Sequence, residues 1–207
     1  MTSFEAAPAV ASRSAVLFAF DDVSIPATRG LEVRMLQPEK YPANPILTRG
    51  APGEADAGSA QGVSVVREGN RWRLWYSAHD EAGQPRMAYA ESRDGLHWEK
   101  PRLGLVTFNG TSANNLVAAE AGFEARSVLL DPDAPPERRY ALAAMDNRWW
   151  RGWRPDVPSM TRIEVSADGL HWAPLSRAPG IVAQQNKVIT LYRFAGKYHP
   201  FDRRLNR

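Results

Sequence analysis

A chain of 207 residues has room for one or two domains with a real core, and its lack of cysteine excludes disulfides, thiolate metal sites and a cysteine nucleophile. The net charge of +3 is not a nucleic-acid signature. Residues 193–207 hold Arg193, Lys197, Arg203, Arg204 and Arg207 against Asp202, leaving 21 basic and 22 acidic residues in the body, whereas a nucleic-acid footprint needs a basic patch on the fold itself.

Residues 1–14 are Ala-rich and irregular and read as a disordered N-terminus. The apolar run at 15–20 is too short for a signal-peptide core, lacks a basic segment before it and runs into Asp21-Asp22. No stretch is long enough to span a membrane, so a soluble, cytoplasmic protein is expected. An N-terminal segment, 15–61, opens with strands at 15–25 and 31–36. It then breaks into a long surface loop through Pro38, Pro42, Pro45, Gly50, Pro52, Gly53 and Gly58.

A first blade is expected over 62–106. Strands at 62–67 and 71–76 meet at the turn Glu68-Gly69-Asn70, a polar loop covers 79–85, and further strands run at 86–91 and from Trp98. The same template fits 107–176, with strands at 126–130, 139–145, 161–165 and from Trp172. A third unit, 177–207, begins with a strand at 187–192, turns at Ala195-Gly196 and ends in a basic, non-periodic tail from Pro200. The expectation is an all-β, partial and truncated β-propeller of four-stranded antiparallel blades. Two blades and a fraction leave open edges, so missing blades or a partner chain are needed to close the ring.

Both full units carry the phrase Ser-x-Asp-Gly-Leu-His-Trp, as Ser92-Arg93-Asp94-Gly95-Leu96-His97-Trp98 and Ser166-Ala167-Asp168-Gly169-Leu170-His171-Trp172, 74 residues apart. Self-similarity of this kind marks repeat architectures. Asp-Gly supplies a tight turn between strands, with glycine accepting positive φ, and the tryptophan lies back over it. Turn chemistry alone accounts for Asp94 and Asp168, which are read as turn formers and not catalysts.

Several stretches together resemble a known group. They are Leu17-Phe18 with Asp21-Asp22, Asn44-Pro45-Ile46-Leu47, Arg73-Leu74-Trp75-Tyr76, the run from Tyr89 through the first hairpin to Pro101, Phe108-Asn109-Gly110 and Asn114-Asn115. Over residues 15–198 the chain is similar to bacterial proteins related to the amino-terminal domain of glycoside hydrolase family 32, and more broadly to the five-bladed β-propellers of families 32 and 43. The resemblance implies a propeller acting on a poly- or oligosaccharide through carboxylates on successive inner strands, with no cofactor. The Asn-Asp-Pro-Asn-Gly and Arg-Asp-Pro blocks of family 32 are absent, and Asp131-Pro132 matches only part of the second, so no catalytic residue transfers.

Blade geometry places the Asp94, Asp131 and Asp168 turns on one face and the loops 79–85, 109–115, 146–160 and 177–186 on the other. Glycoside hydrolysis needs two carboxylates near the axis. At the strand entrances these are Glu54 or Asp56 and Glu120 or Glu124, with Asp80 and Asp146 in support; Asp56, Glu124 and Asp146 form the catalytic set. Each of these acids taken alone also fits a solvated loop residue. Trp149, Trp150, Arg151 and Trp153, with His79, Asp80, Asn114 and Asn115, are the expected sugar contacts, since aromatic faces pack on sugar C–H surfaces. His79 taken alone reads as an exposed loop histidine, and no metal-ligand spacing is present. The alternative to an enzyme is a non-catalytic carbohydrate-binding or interaction module. The partner expected is a carbohydrate, not a nucleic acid or a membrane.

Overall fold

The computed structural model describes residues 29–30, 34, 36–118, 123–146, 160–176, 181–182 and 187–203. The chain divides into two compact units, Met1–Pro42 and Ala43–Arg207, and all the described strands belong to the second. The expected disordered N-terminus and the strand at 15–25 lie outside the described residues, as does most of the strand expected at 31–36.

The fold is all-β, with antiparallel meander sheets in a partial propeller-like arrangement of blades. The first sheet has the order β1 (Ser59–Glu68), β2 (Arg71–His79), β3 (Pro85–Ser92). The second runs β4 (Phe123–Leu130), β5 (Tyr140–Asp146), β6 (Met160–Ser166), β7 (Ala173–Pro174), with β8 (Ile181–Val182) also on β6. In the third, β9 (Lys187–Phe194) pairs with β10 (Lys197–Arg203).

Two expectations need correction. The fourth strand of the first blade is reduced to a single bridge, Glu91 to Glu99, because Pro101 follows almost at once and the chain leaves as a loop. Half of the tail read as non-periodic, residues 200–203, is the end of β10, and 204–207 lie outside the described residues. Its proline, Pro200, sits in the outer strand of a two-stranded sheet, where a missing N–H is tolerated.

Alternation along β2 explains the packing. Leu74, Tyr76 and Ala78 face a cluster with Ala88, Ala90, Val106 and Leu116, covered by the loop that returns from the first hairpin. On the opposite face Trp75 joins Met87, Tyr89, Val128, Tyr140 and Leu142, the core shared by the first and second sheets. A third cluster, around Ala141, Ala143 and Leu191, joins the second sheet to β9. Burying the larger of these side chains, such as Leu74, Leu116, Leu142 and Leu191, stabilises the fold by about 1.5–3 kcal/mol each.

Polar contacts repeat the apolar pattern. The Val128 amide donates to Ser64 Oγ at 2.8 Å, and the Leu191 amide donates to Ser127 Oγ at 3.0 Å, the partners standing 64 positions apart in both cases. At the β1–β2 turn Glu68 takes Tyr140 Oη at 2.5 Å and pairs with Arg139. At the β4–β5 turn the buried Asp131 takes Tyr198 Oη and Arg193 Nη1, both at 3.1 Å. Each sheet therefore holds the next through an acid in its first turn.

Candidate functional site

Asp56 lies in the turn that leads into β1 and is buried. Its Oδ2 accepts from Tyr76 Oη at 2.9 Å and from Lys100 Nζ at 2.5 Å, and Lys100 also donates to the Thr48 carbonyl at 2.7 Å. Asn115 Nδ2 donates to Tyr76 Oη at 2.7 Å and to the Tyr89 carbonyl at 2.6 Å. The chain is thus Asn115 to Tyr76 to Asp56, with Lys100 as counter-ion. Burial, reinforced by the Asp56 carboxylate, pushes the Tyr76 phenol well above its usual range, so it stays a donor. A side chain at Gly50 would collide with both Asp56 Oδ1 and Glu54 Oε2, so these carboxylates converge over the bare glycine.

This network borders a cavity of about 320 Å³ whose lining includes Glu54, Asp56, Lys100, Arg102, Asn114 and Asn115. The size suits one or two sugar rings, at the small end of ligand pockets of roughly 300–1,000 Å³.

A second polar group stands where β2 ends and β4 begins. Glu124 forms an ion pair with Arg126 through Oε2, and its Oε1 lies 4.0 Å from His79 Nε2. Both His79 and Glu124 are buried, against the expectation of an exposed histidine and a solvated acid. Arg126 occupies the bulge in β4 between Ala125 and Ser127, a device that re-aims a side chain. Burial lowers the affinity of its guanidinium for a proton.

The other expected residues divide. Asp80 is consumed by its own loop, taking the Gln84 amide at 2.8 Å and Arg86 Nη1 at 2.7 Å, while Arg86 also stacks over Phe108. Asn114 lines the cavity but binds the Val106 carbonyl and the Leu116 amide, so it shapes the loop. Asp146 is the last residue of β5, opposite Phe123 of β4 and Met160 of β6, and its side chain lies outside the described structure. Trp149, Trp150, Arg151 and Trp153 lie outside the described residues. Tyr76, Lys100 and Arg126 were not foreseen; the first ends an apolar strand run and the second is a lone loop lysine, so neither carries a sequence signal. Among the described residues no three His, Asp or Glu side chains converge as metal ligands.

No protein-family model matches the sequence, and no curated protein matches it. Among solved structures the chain is similar to a candidate glycoside hydrolase of Bacteroides ovatus, with 17% identity and a TM-score of 0.44 over 68% of this chain and 41% of that one. It is also similar to a structure from work on the GH130 family of mannoside phosphorylases, which contains glycoside hydrolases that target β-1,2-mannosidic linkages in Candida mannan. There the identity is 14% and the TM-score 0.45, over 78% of this chain and 49% of that one. The chain spans less than half the length of either structure. The functional reading therefore rests on its own side chains.

Proposed function

We propose that the chain forms part of a carbohydrate-active propeller of the family 32 and 43 kind that hydrolyses a poly- or oligosaccharide by carboxylate acid–base chemistry. The carrying observation is a buried carboxylate, Asp56, held by a phenol and an ammonium at the edge of a polar cavity of about 320 Å³. Asp56 is the base or nucleophile, Glu124 the second carboxylate and Asp146 its support, with Asn115 and His79 near the substrate. Trp149, Trp150, Arg151 and Trp153 supply the sugar platform.

Fold and function are separate claims, and only the site carries the second. The direct test is a panel of plant and bacterial glycans, with released sugar read by chromatography. Turnover that falls at least ~100-fold in Asp56→Asn supports the role, in line with the usual contribution of a positioned acid or base. Turnover unchanged in Asp56→Asn and Glu124→Gln removes it.

One observation favours a binding module without turnover. Lys100 Nζ already sits 2.5 Å from Asp56 Oδ2, so the carboxylate is neutralised within the fold. In that case glycans bind by calorimetry with no product, and Asp56→Asn leaves the affinity within about twofold.

A further inference from the structure

Of the asparagines in the chain, only Asn109 precedes a glycine. The pair forms the centre of a tight turn. Phe108 and Thr111 exchange backbone hydrogen bonds at 2.9 and 3.1 Å, and φ is 47° at Asn109 and 81° at Gly110, the conformation that favours Asn-Gly in two-residue hairpins. Both residues are exposed. The turn is the tip of a loop whose Phe108 and Thr111 line the cavity of about 320 Å³, together with Gly53, Glu54 and Asp56 from the loop before β1. At this tip Asn109 Nδ2 donates to the Gly53 carbonyl at 2.9 Å. Among the described residues no other hydrogen bond joins 107–113 to 50–56.

Asn-Gly is also the pairing in which a backbone can modify its own side chain. The nitrogen that follows the asparagine attacks Cγ, and glycine, with no Cβ, crowds that approach least. Three positive-φ glycines follow a short acid or amide here: Gly95 after Asp94, Gly169 after Asp168 and Gly110 after Asn109. In the two hairpins the glycine amide is tied to Ser92 Oγ at 2.9 Å or to Ser166 Oγ at 2.8 Å, and the preceding Oδ1 is fixed by two further amides. At the third site the Gly110 amide has no acceptor and Asn109 Oδ1 no donor among the described residues. The attacking group is bound in two turns and free in the third.

We propose that Asn109 is a site of self-modification that unlocks the cavity loop. The Gly110 nitrogen bonds to Asn109 Cγ and gives up its proton to water, the Cγ–Nδ2 bond breaks, and Nδ2 takes a proton and leaves as ammonia. A five-membered succinimide remains, which water opens at either carbonyl to give aspartate or isoaspartate. Both products end the bond to Gly53, because a carboxylate oxygen has replaced the donor and faces a carbonyl. Isoaspartate also lengthens the main chain by one carbon, which a two-residue turn cannot absorb without losing the Phe108–Thr111 pairing. The only co-reactant is water, and the change is the same whatever the cavity takes.

The test is to age the intact chain in mildly alkaline buffer and map its tryptic peptides. The peptide of residues 103–126 should gain the mass of an NH2-to-OH exchange and become a substrate for isoaspartyl methyltransferase. Asp94→Asn with Asp168→Asn supplies the control, since it sets the same Asn-Gly chemistry in both clamped turns. Conversion at 109 should run at least ~10-fold faster than at 94 or 168, because each further hydrogen bond that must open first lowers the reactive population roughly fivefold. Equal rates at the three sites overturn the proposal, as does no conversion at 109 while a synthetic peptide of residues 104–113 converts. The unlocking has a separate readout: segments 50–58 and 106–114 should exchange amide hydrogen faster in aged protein than in fresh. Asn109→Gln keeps a donor but closes its six-membered ring far more slowly, so it should show no such gain with age. Exchange that stays the same in aged parent, or rises equally in Asn109→Gln, breaks the link between the modification and the loop.

Discussion

The two Ser-x-Asp-Gly-Leu-His-Trp hairpins are alike inside and differ in what they touch. In the first, the Asp94 carboxylate takes the amides of Leu96 and His97 at 2.8 Å each and the His97 ring at 2.6 Å; in the second, Asp168 repeats these at 2.8, 2.9 and 2.7 Å. Ser92 Oγ and Ser166 Oγ accept from Gly95 and Gly169 at 2.9 and 2.8 Å. Outward the likeness ends. The first hairpin covers Trp72 of its own sheet, while the second reaches the first sheet, where the Asp168 carbonyl takes Arg73 Nη2 at 2.5 Å and the Gly169 carbonyl takes Trp75 Nε1 at 2.7 Å. Arg73 is itself held by Tyr89 at 2.9 Å and Tyr140 at 2.5 Å. One motif thus serves as a corner in one place and as a clasp between sheets in the other. Its local chemistry does not tell the two apart.

The sharpest way to break the parallel is to add one carbon to each glycine. Both have positive φ, 78° at Gly95 and 75° at Gly169, so alanine is strained at either by about 1–2 kcal/mol. At Gly95 the new carbon meets Trp72 at 3.6 Å, an ordinary contact; at Gly169 it meets Trp75 Cζ2 at 2.6 Å. Trp75 is fully buried and cannot yield, so overpacking adds about 1–3 kcal/mol. Urea unfolding should show Gly169→Ala losing about 3–4 kcal/mol and Gly95→Ala about 1–2 kcal/mol. Equal losses would mean that the clasp does not bear on stability.

Trp75→Phe attacks the clasp from the other side. It removes the donor to the Gly169 carbonyl and part of a ring packed 5.7 Å from both Tyr89 and Tyr140. The expected loss is about 2 kcal/mol, of which about 1 kcal/mol belongs to the hydrogen bond. Because the smaller ring also relieves Gly169→Ala, the double variant should lose less than the sum of the two, a coupling measurable in a double-mutant cycle.

The hairpin tryptophans offer a smaller contrast. Trp98 Nε1 donates to the Gly95 carbonyl of its own turn at 3.0 Å. In the second hairpin Trp75 holds the Gly169 carbonyl, and the buried Trp172 Nε1 finds no acceptor among the described residues. Trp98→Phe therefore loses packing and a hydrogen bond, whereas Trp172→Phe loses packing and sheds an unsatisfied donor. Thermal unfolding should rank Trp172→Phe as the milder by about 1 kcal/mol.

What the sequence displayed and what it hid divide along the same line. The Asp-Gly turns, the strands beside them and the all-β class were legible because turn residues and alternation act over a few neighbours. The 63-residue spacing of the ladder skips in β1, β4 and β9, the first strands of the three sheets, was not. Its positions hold Val63, Arg126 and Ile189, then Ser64, Ser127 and Thr190, which share a backbone irregularity more than a side-chain type. Asp56 and Glu124 could be named as acids near strand entrances, but their burial could not. The partners of Asp56 lie 20 and 44 residues away, and a lone loop lysine such as Lys100 gives no sign of its destination. β10 was missed because Pro200 and the basic residues obscured an alternation that pairing with β9 makes real.

The weakest perturbation tests the shared interior of the hairpins. At Asp94 the His97 amide, then the His97 ring and the Leu96 amide, hold the carboxyl well below the usual carboxylate range. At Asp168 partial burial pulls upward, but the His171 amide and ring, the Leu170 amide and Ser166 outweigh it, and the carboxyl is again held low. A depressed carboxyl favours the fold wherever it is ionised, so this contribution is complete above the unfolded value near pH 4 and fades as pH falls below it. Urea midpoints of the parent should therefore drop between about pH 4 and pH 2, and Asp94→Asn and Asp168→Asn should each flatten that drop. Asparagine keeps a carbonyl oxygen for the turn amides, so at neutral pH both variants stay folded. The flattening should be of similar size at the two sites, since the clasp engages backbone carbonyls of the second hairpin and leaves its carboxylate with the same partners as the first. A much larger effect at Asp168 would show that the contact with Arg73 depends on the carboxylate charge, and the separation between turn and clasp would fail.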